Sequence, residues 1–186
     1  MITAQGYTFD LAEELVQQLE REFGPDALRG ELQKAFGGGA PGDEEAGSFF
    51  AGFGRRWMGR VLELGEQHKD RTYEVLQDVA TEIEDLKFPF FSQRFIEIAY
   101  LGTQPIYTLP ITMNGAKGLG FKMPFCGYFT AIKESMGGEF ANKLHCRSAC
   151  ETACRRAFEQ FGFDVAVTMD ATMPVDEFCQ FSIVRA

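Results

Sequence analysis

The sequence predicts an α+β domain: a helical part over residues 1–90, followed by an antiparallel sheet with helices against it over residues 91–186. Three observations predict this. Apolar residues keep helical spacing through the first half, an Asn-Gly turn signal sits among Ile-, Tyr- and Thr-rich stretches in the middle, and two alternating runs close the chain. With 186 residues, 45% of them apolar, one domain can bury an ordinary core. No repeat and no second core is evident.

The spacing of Phe9, Ala12, Leu15, Val16, Leu19 and Phe23 predicts a helix over residues 10–23, with Asp10 and Glu13 placed as a capping box. Gly24-Pro25 closes it and opens a second helix carrying Leu28, Leu32, Ala35 and Phe36. GGGAPGDEEAG, residues 37–47, has no periodicity and reads as a surface loop. Ser48 then caps a third helix bearing Phe49, Phe50, Phe53, Trp57, Val61 and Leu64, and residues 69–86 form a fourth. The break at residues 88–91 ends the helical pattern. Strand-rich stretches follow at 94–101 and 105–113, with a hairpin turn at Asn114-Gly115 and a returning strand over 119–123. A short helix over 125–137 and a longer one over 139–161 precede strands around 163–169 and 179–183, separated by a turn at 172–176.

The net charge of −9 lies wholly in the first part, since residues 1–100 hold 19 of the 27 acidic but only 10 of the 18 basic side chains. An acidic chain without a basic run repels phosphate backbones, which speaks against nucleic acid. No apolar run reaches the ~18 residues of a membrane span, and MITAQGYTFD has no leader pattern, so a cytoplasmic protein is expected. Its five cysteines, an odd number confined to residues 126–179, argue against a disulfide framework. The 19 Phe are either core filler or the lining of a ligand cavity. A homodimer through the helix at residues 49–57 is also open to the chain.

The chemistry concentrates in KLHCRSACETACRRAF, residues 143–158, which sets Cys146, Cys150 and Cys154 four apart. On one helix Cys146 and Cys154 stand about 12 Å apart along the axis, too far to share an ion. An adjacent pair such as Cys146 with Cys150 can share one, and Cys126 and Cys179 can complete a four-sulfur set for zinc or an iron–sulfur cluster. The bland alternative is packing, because free cysteine is often a small buried hydrophobe. That reading suits Cys154 best. His145 precedes Cys146, but neighbours on a helix diverge by about 100°, so the dipeptide is no dyad.

The order FKMPFC (Cys126), LHC (Cys146), VTMDATM (Thr168, Thr172) and DEFCQFSI (Cys179) resembles the L-2-amino-thiazoline-4-carboxylic acid hydrolase-like family over about residues 100–186. The closing strand is also similar to vinyl-reductase-type ligand-sensing domains. The first resemblance implies hydrolysis of the C=N of a thiazoline carboxylate in a cysteine-lined pocket. Cys126, Cys146 or Cys179 would be nucleophile or metal ligand there, and Glu151 or Asp170 the proton carrier. The second implies a non-catalytic sensor or accessory protein holding a hydrophobic ligand, or a metal, against the Phe-rich interior, although the zinc pattern of those domains is not matched here, Thr168 and Ala171 standing where its ligands would be. The chain departs from the hydrolase pattern where the acid after Cys146 is displaced to Glu151, and where Asp176-Glu177 replaces Gly-Asp.

Overall fold

The computed structural model describes residues 13–37, 39–67, 101–102, 111–115 and 118–185. The helix expected over residues 69–86, the break at 88–91 and most of the stretch from 94 to 110 lie outside them. What is described is α+β, with helices in the N-terminal part and a four-stranded antiparallel sheet in the C-terminal part.

Helices α1 (Glu13–Phe23) and α2 (Pro25–Phe36) form where the spacing predicts them. Each buries residues four apart: Leu15, Leu19 and Phe23 on α1, then Leu28, Leu32 and Phe36 on α2. Helix α3 (Asp43–Gln67) begins five residues before the expected Ser48 cap. Asp43, Glu44 and Glu45 fill its first turn, where the positive end of the helix dipole favours carboxylates, so the tail of the expected loop is helical. Phe50, Phe53 and Trp57 are buried within the chain. The face offered above to a dimer partner is therefore used internally. Leu101, read above as the end of a strand-rich stretch, is helical and buried with Gly102, and Gly102 lies against Met58 and Val61.

Strands β1 (Ile111–Gly115) and β2 (Gly118–Met123) pair through Gly115 and Gly118, so Asn114-Gly115 ends the strand and the connection falls two residues later than expected. Then come α4 (Gly127–Met136), α5 (Gly138–Asn142) and α6 (Arg147–Gln160). The single helix expected over 139–161 is thus two, separated by a turn in which Leu144 has φ 57°. Strand β3 (Val165–Ala171), the short α7 (Met173–Asp176) and β4 (Cys179–Arg185) finish the chain as the predicted closing hairpin.

The sheet order is β1-β2-β4-β3, so the last strand inserts beside β2. Strand alternation sends Cys179, Phe181 and Ile183 of β4 to one face, opposite Met123, Phe121 and Leu119 of β2. Those three β4 residues are buried, and the Phe121 and Phe181 rings stack at 5.2 Å. Ser182 and exposed Val184 point the other way.

The two parts are joined by α3 lying along α6. Ala149, Ala153 and Ala157, four apart, are the buried face of α6, and a side chain on Gly54 of α3 would stand 2.1 Å from the Ala149 carbonyl oxygen. Small residues let the two backbones approach this closely. The cysteines at 146, 150 and 154 ride on the adjoining stripe, rotated by about 100° from the alanines. Edge-on ring contacts link α1, α3 and α4: Phe23–Phe53 at 5.7 Å, Phe53–Tyr128 at 5.5 Å and Trp57–Tyr128 at 5.4 Å.

Candidate functional site: a buried thiol cluster

Three chain segments bring cysteines to one end of the sheet. Cys179 opens β4 directly opposite Met123, the last residue of β2. Three residues beyond Met123, Cys126 caps α4, and its Sγ accepts a hydrogen bond from the Phe129 N–H at 3.3 Å. A thiol here does the work usually given to Ser, Thr or Asp at a helix N-terminus. Cys146 caps α6, its carbonyl accepting from the Ala149 N–H at 3.0 Å, and Cys150 and Cys154 follow at one-turn intervals.

All five thiols are free. Among Cys126, Cys146, Cys150 and Cys179, each thiolate would repel every other, so all six pairs are electrostatically coupled. Cys154 couples with Cys150 alone and otherwise feels Glu151 and Arg155. The cluster is therefore a set of four with a fifth at its margin. Tyr128 borders it, coupled to Cys150 and Cys126. Its hydroxyl donates to the Phe23 carbonyl at 2.6 Å, tying the site to the end of α1.

Burial dominates the acidity of every thiol. It pushes Cys126 up to about 11 and Cys154 up to about 12. Cys146 and Cys150 are pushed well above the ordinary thiol range, first by burial and then by the neighbouring sulfurs. Cys179 is raised as well, by burial and then by Asp176. Backbone N–H groups favour the thiolates of Cys126 and Cys146, but burial outweighs them. No cation acts on the four-thiol set among the described residues.

The acid and base candidates lie elsewhere. Glu151 is held by Arg147 at 2.6 Å and Arg155 at 3.3 Å, with Cys154 as the thiol it acts on. Asp170 accepts from Thr168 Oγ1 at 3.1 Å and from Ser182 Oγ, so it lies on the face of the sheet opposite Cys179. His145 turns toward the start of α3: its Nε2 is 3.5 Å from Asp43 Oδ1, and its ring packs on Phe140 at 5.1 Å. Among the described residues, that buried nitrogen and Trp57 Nε1 find no hydrogen-bond partner. Of the residues assigned above to catalysis, Cys126 and Cys146 are brought together, whereas Glu151 and Asp170 are not brought to them.

Four sulfurs are a soft donor set, suited to zinc, copper(I) or iron–sulfur chemistry. As they stand, no three His, Cys, Asp or Glu side chains among the described residues are arranged to hold one metal ion. Sequence reasoning missed two parts of the surroundings. The alanine row of α6 was legible as a four-residue repeat beside the cysteines, and the Tyr128 phenol had no local signal at all. Comparison with known proteins adds no name to this site: no family model, no curated protein and no solved structure matches the chain.

Proposed function

We propose that this chain is a non-catalytic binding module whose buried thiol cluster takes a soft, thiophilic ligand. The observation that carries this reading is the gathering of thiols from three segments, Cys126 at the cap of α4, Cys146 and Cys150 a turn apart at the start of α6 and Cys179 at the start of β4, with no cationic side chain acting on them among the described residues. A thiazoline hydrolase of the kind the resemblance implies needs a thiolate at neutral pH with a base beside it. Buried thiols with raised pKa and no paired base are poor nucleophiles. A soft cation, by contrast, displaces the thiol protons and compensates the charge of the thiolates so formed. We place the protein in the cytoplasm, where reduced thiols persist. Among the described residues no helix is long and apolar enough to cross a membrane.

The test is thiol reactivity against pH, alongside turnover of thiazoline carboxylates. The native protein should react with an aromatic disulfide at pH 7 at least tenfold more slowly than the unfolded chain, and no thiazoline substrate should turn over. A single fast-reacting thiol at pH 7, with turnover abolished by Cys126→Ser or Cys146→Ser, restores the hydrolase and ends this reading.

A further inference from the structure

The outer face of the sheet holds a lysine and an aspartate that do not pair with each other. Strand alternation puts Lys122 of β2, Ser182 of β4 and Thr168 of β3 on the side away from Cys179. Asp170, at the register shift of β3, joins them there by accepting from the Thr168 and Ser182 hydroxyls. Lys122 and Asp170 are level to within a residue, because Lys122 stands opposite Gln180 and Asp170 falls between the residues opposite Gln180 and Phe181. Strand β4 runs between them, so their backbones are about 10 Å apart. Among the described residues neither forms an ion pair. The Lys122 ammonium sits over the Phe178 ring at 4.4 Å, and Asp170 is held by the two hydroxyls.

We infer that this face docks on the same face of a second copy of the chain, the two sheets stacked about a two-fold axis that runs along β4. Such an axis exchanges left for right and keeps the level along the strands, so β2 of one copy lies over β3 of the other. Lys122 then meets the partner's Asp170, and the pair is made twice. The relief of the face suits the same placement. Met113, 43% exposed, lies across β2, filling the space that side chains on Gly118 and Gly120 would take. Opposite it β3 presents Ala166 and Thr168, both small and exposed. Away from the charges, Val184, 44% exposed, falls on the axis against the partner's Val184. The acidity of the chain does not oppose the contact, since residues 101–186 hold 8 acidic and 8 basic side chains. The overlap of three strands is about 300 Å² of flat area per copy, small for a permanent pair, so a reversible dimer with a Kd on the order of 100 μM is expected.

Sedimentation of the reduced full-length chain in low salt, from about 5 to 500 μM, tests this. A concentration-dependent step from monomer to dimer is expected. Lys122→Glu and Asp170→Lys should each stay monomeric throughout, because each sets like charges against one another across the contact. Mixed in equal amounts, the two variants should dimerise with each other. The new acid of the first faces the new base of the second, and Asp170 of the first still faces Lys122 of the second. Circular dichroism reads folding. If Asp170→Lys unfolds, Asp170→Asn takes its place: it keeps an acceptor for both hydroxyls and should weaken the dimer at least tenfold. A wild-type chain that is monomeric at 500 μM, a dimer indifferent to the substitutions, or two charge-reversed variants that stay monomeric when mixed overturns the inference. The thiols take no part in this contact, so none of these outcomes bears on the soft-ligand reading.

Discussion

At the scale of single residues, Tyr128 carries the sharpest structural consequence. Its hydroxyl supplies the hydrogen bond to the Phe23 carbonyl at the end of α1, and its ring meets both Phe53 and Trp57 edge-on. Tyr128→Phe keeps the rings and leaves a buried carbonyl without its partner. A loss of about 1–3 kcal/mol in urea unfolding is expected, with the aromatic near-ultraviolet signal largely kept. The cysteines are legible as residues, and spacing with resemblance points to Cys126, Cys146, Cys150 and Cys179 as the set to test. The positions of Glu151 and Asp170 were not legible. Which face of a helix or a bulged strand an acid occupies depends on partners far away in sequence. Asp170 sits at the register shift between Met169 and Ala171, and only the pairing with β4 places it beside Ser182.

At the scale of elements, the contact of α3 with α6 makes a prediction whose sign is informative. Helix propensity alone says that Gly→Ala within a helix stabilises by about 1 kcal/mol. Gly59→Ala should do so, because nothing among the described residues lies within 4 Å of its added methyl. Gly54→Ala should instead destabilise by about 1–3 kcal/mol, its methyl colliding with the Ala149 backbone. Thermal melts of the two variants check both directions. Elements with large apolar residues at regular spacing, such as α1, α2 and the β3–β4 hairpin, could be read from the chain. The division between α5 and α6 could not: residues 143–146 contain neither Gly nor Pro, and the break rests on Leu144 in a left-handed conformation that tertiary contacts must sustain. The early start of α3 did carry a signal, the acidic run Asp43–Glu45, which was read as loop composition rather than as a first turn.

At the scale of the whole molecule, ion pairs cross between elements at the surface: Arg60 with Glu22 joins α3 to α1, and Arg29 with Glu134 joins α2 to α4. Each is worth little in water. The thiols matter more, through pH. A thiol that stays protonated in the fold but ionises near its ordinary value when unfolded contributes stability that is present below that value and lost as pH rises through the folded one. For Cys126 that window runs from pH 9 to about 11, and the loss is roughly 2–3 kcal/mol. The melting temperature of the metal-free protein should therefore fall across that range, and Cys126→Ala should flatten the slope whatever its effect at pH 7.

The close seat of Gly54 on Ala149 also divides the cluster mechanically. Helix α6 has no slack on its alanine face, so it resists rolling about its axis, and Cys150 is held like a jaw fixed to a bench. Cys126 and Cys179 belong to the other jaw, one in the link between β2 and α4 and one at the first residue of β4, just after Glu177 turns the chain at φ 62°. In the binding reading proposed above, any movement of the sulfurs toward a ligand would fall to that link and that turn, and the frame shared by α3 and α6 would stay where it is.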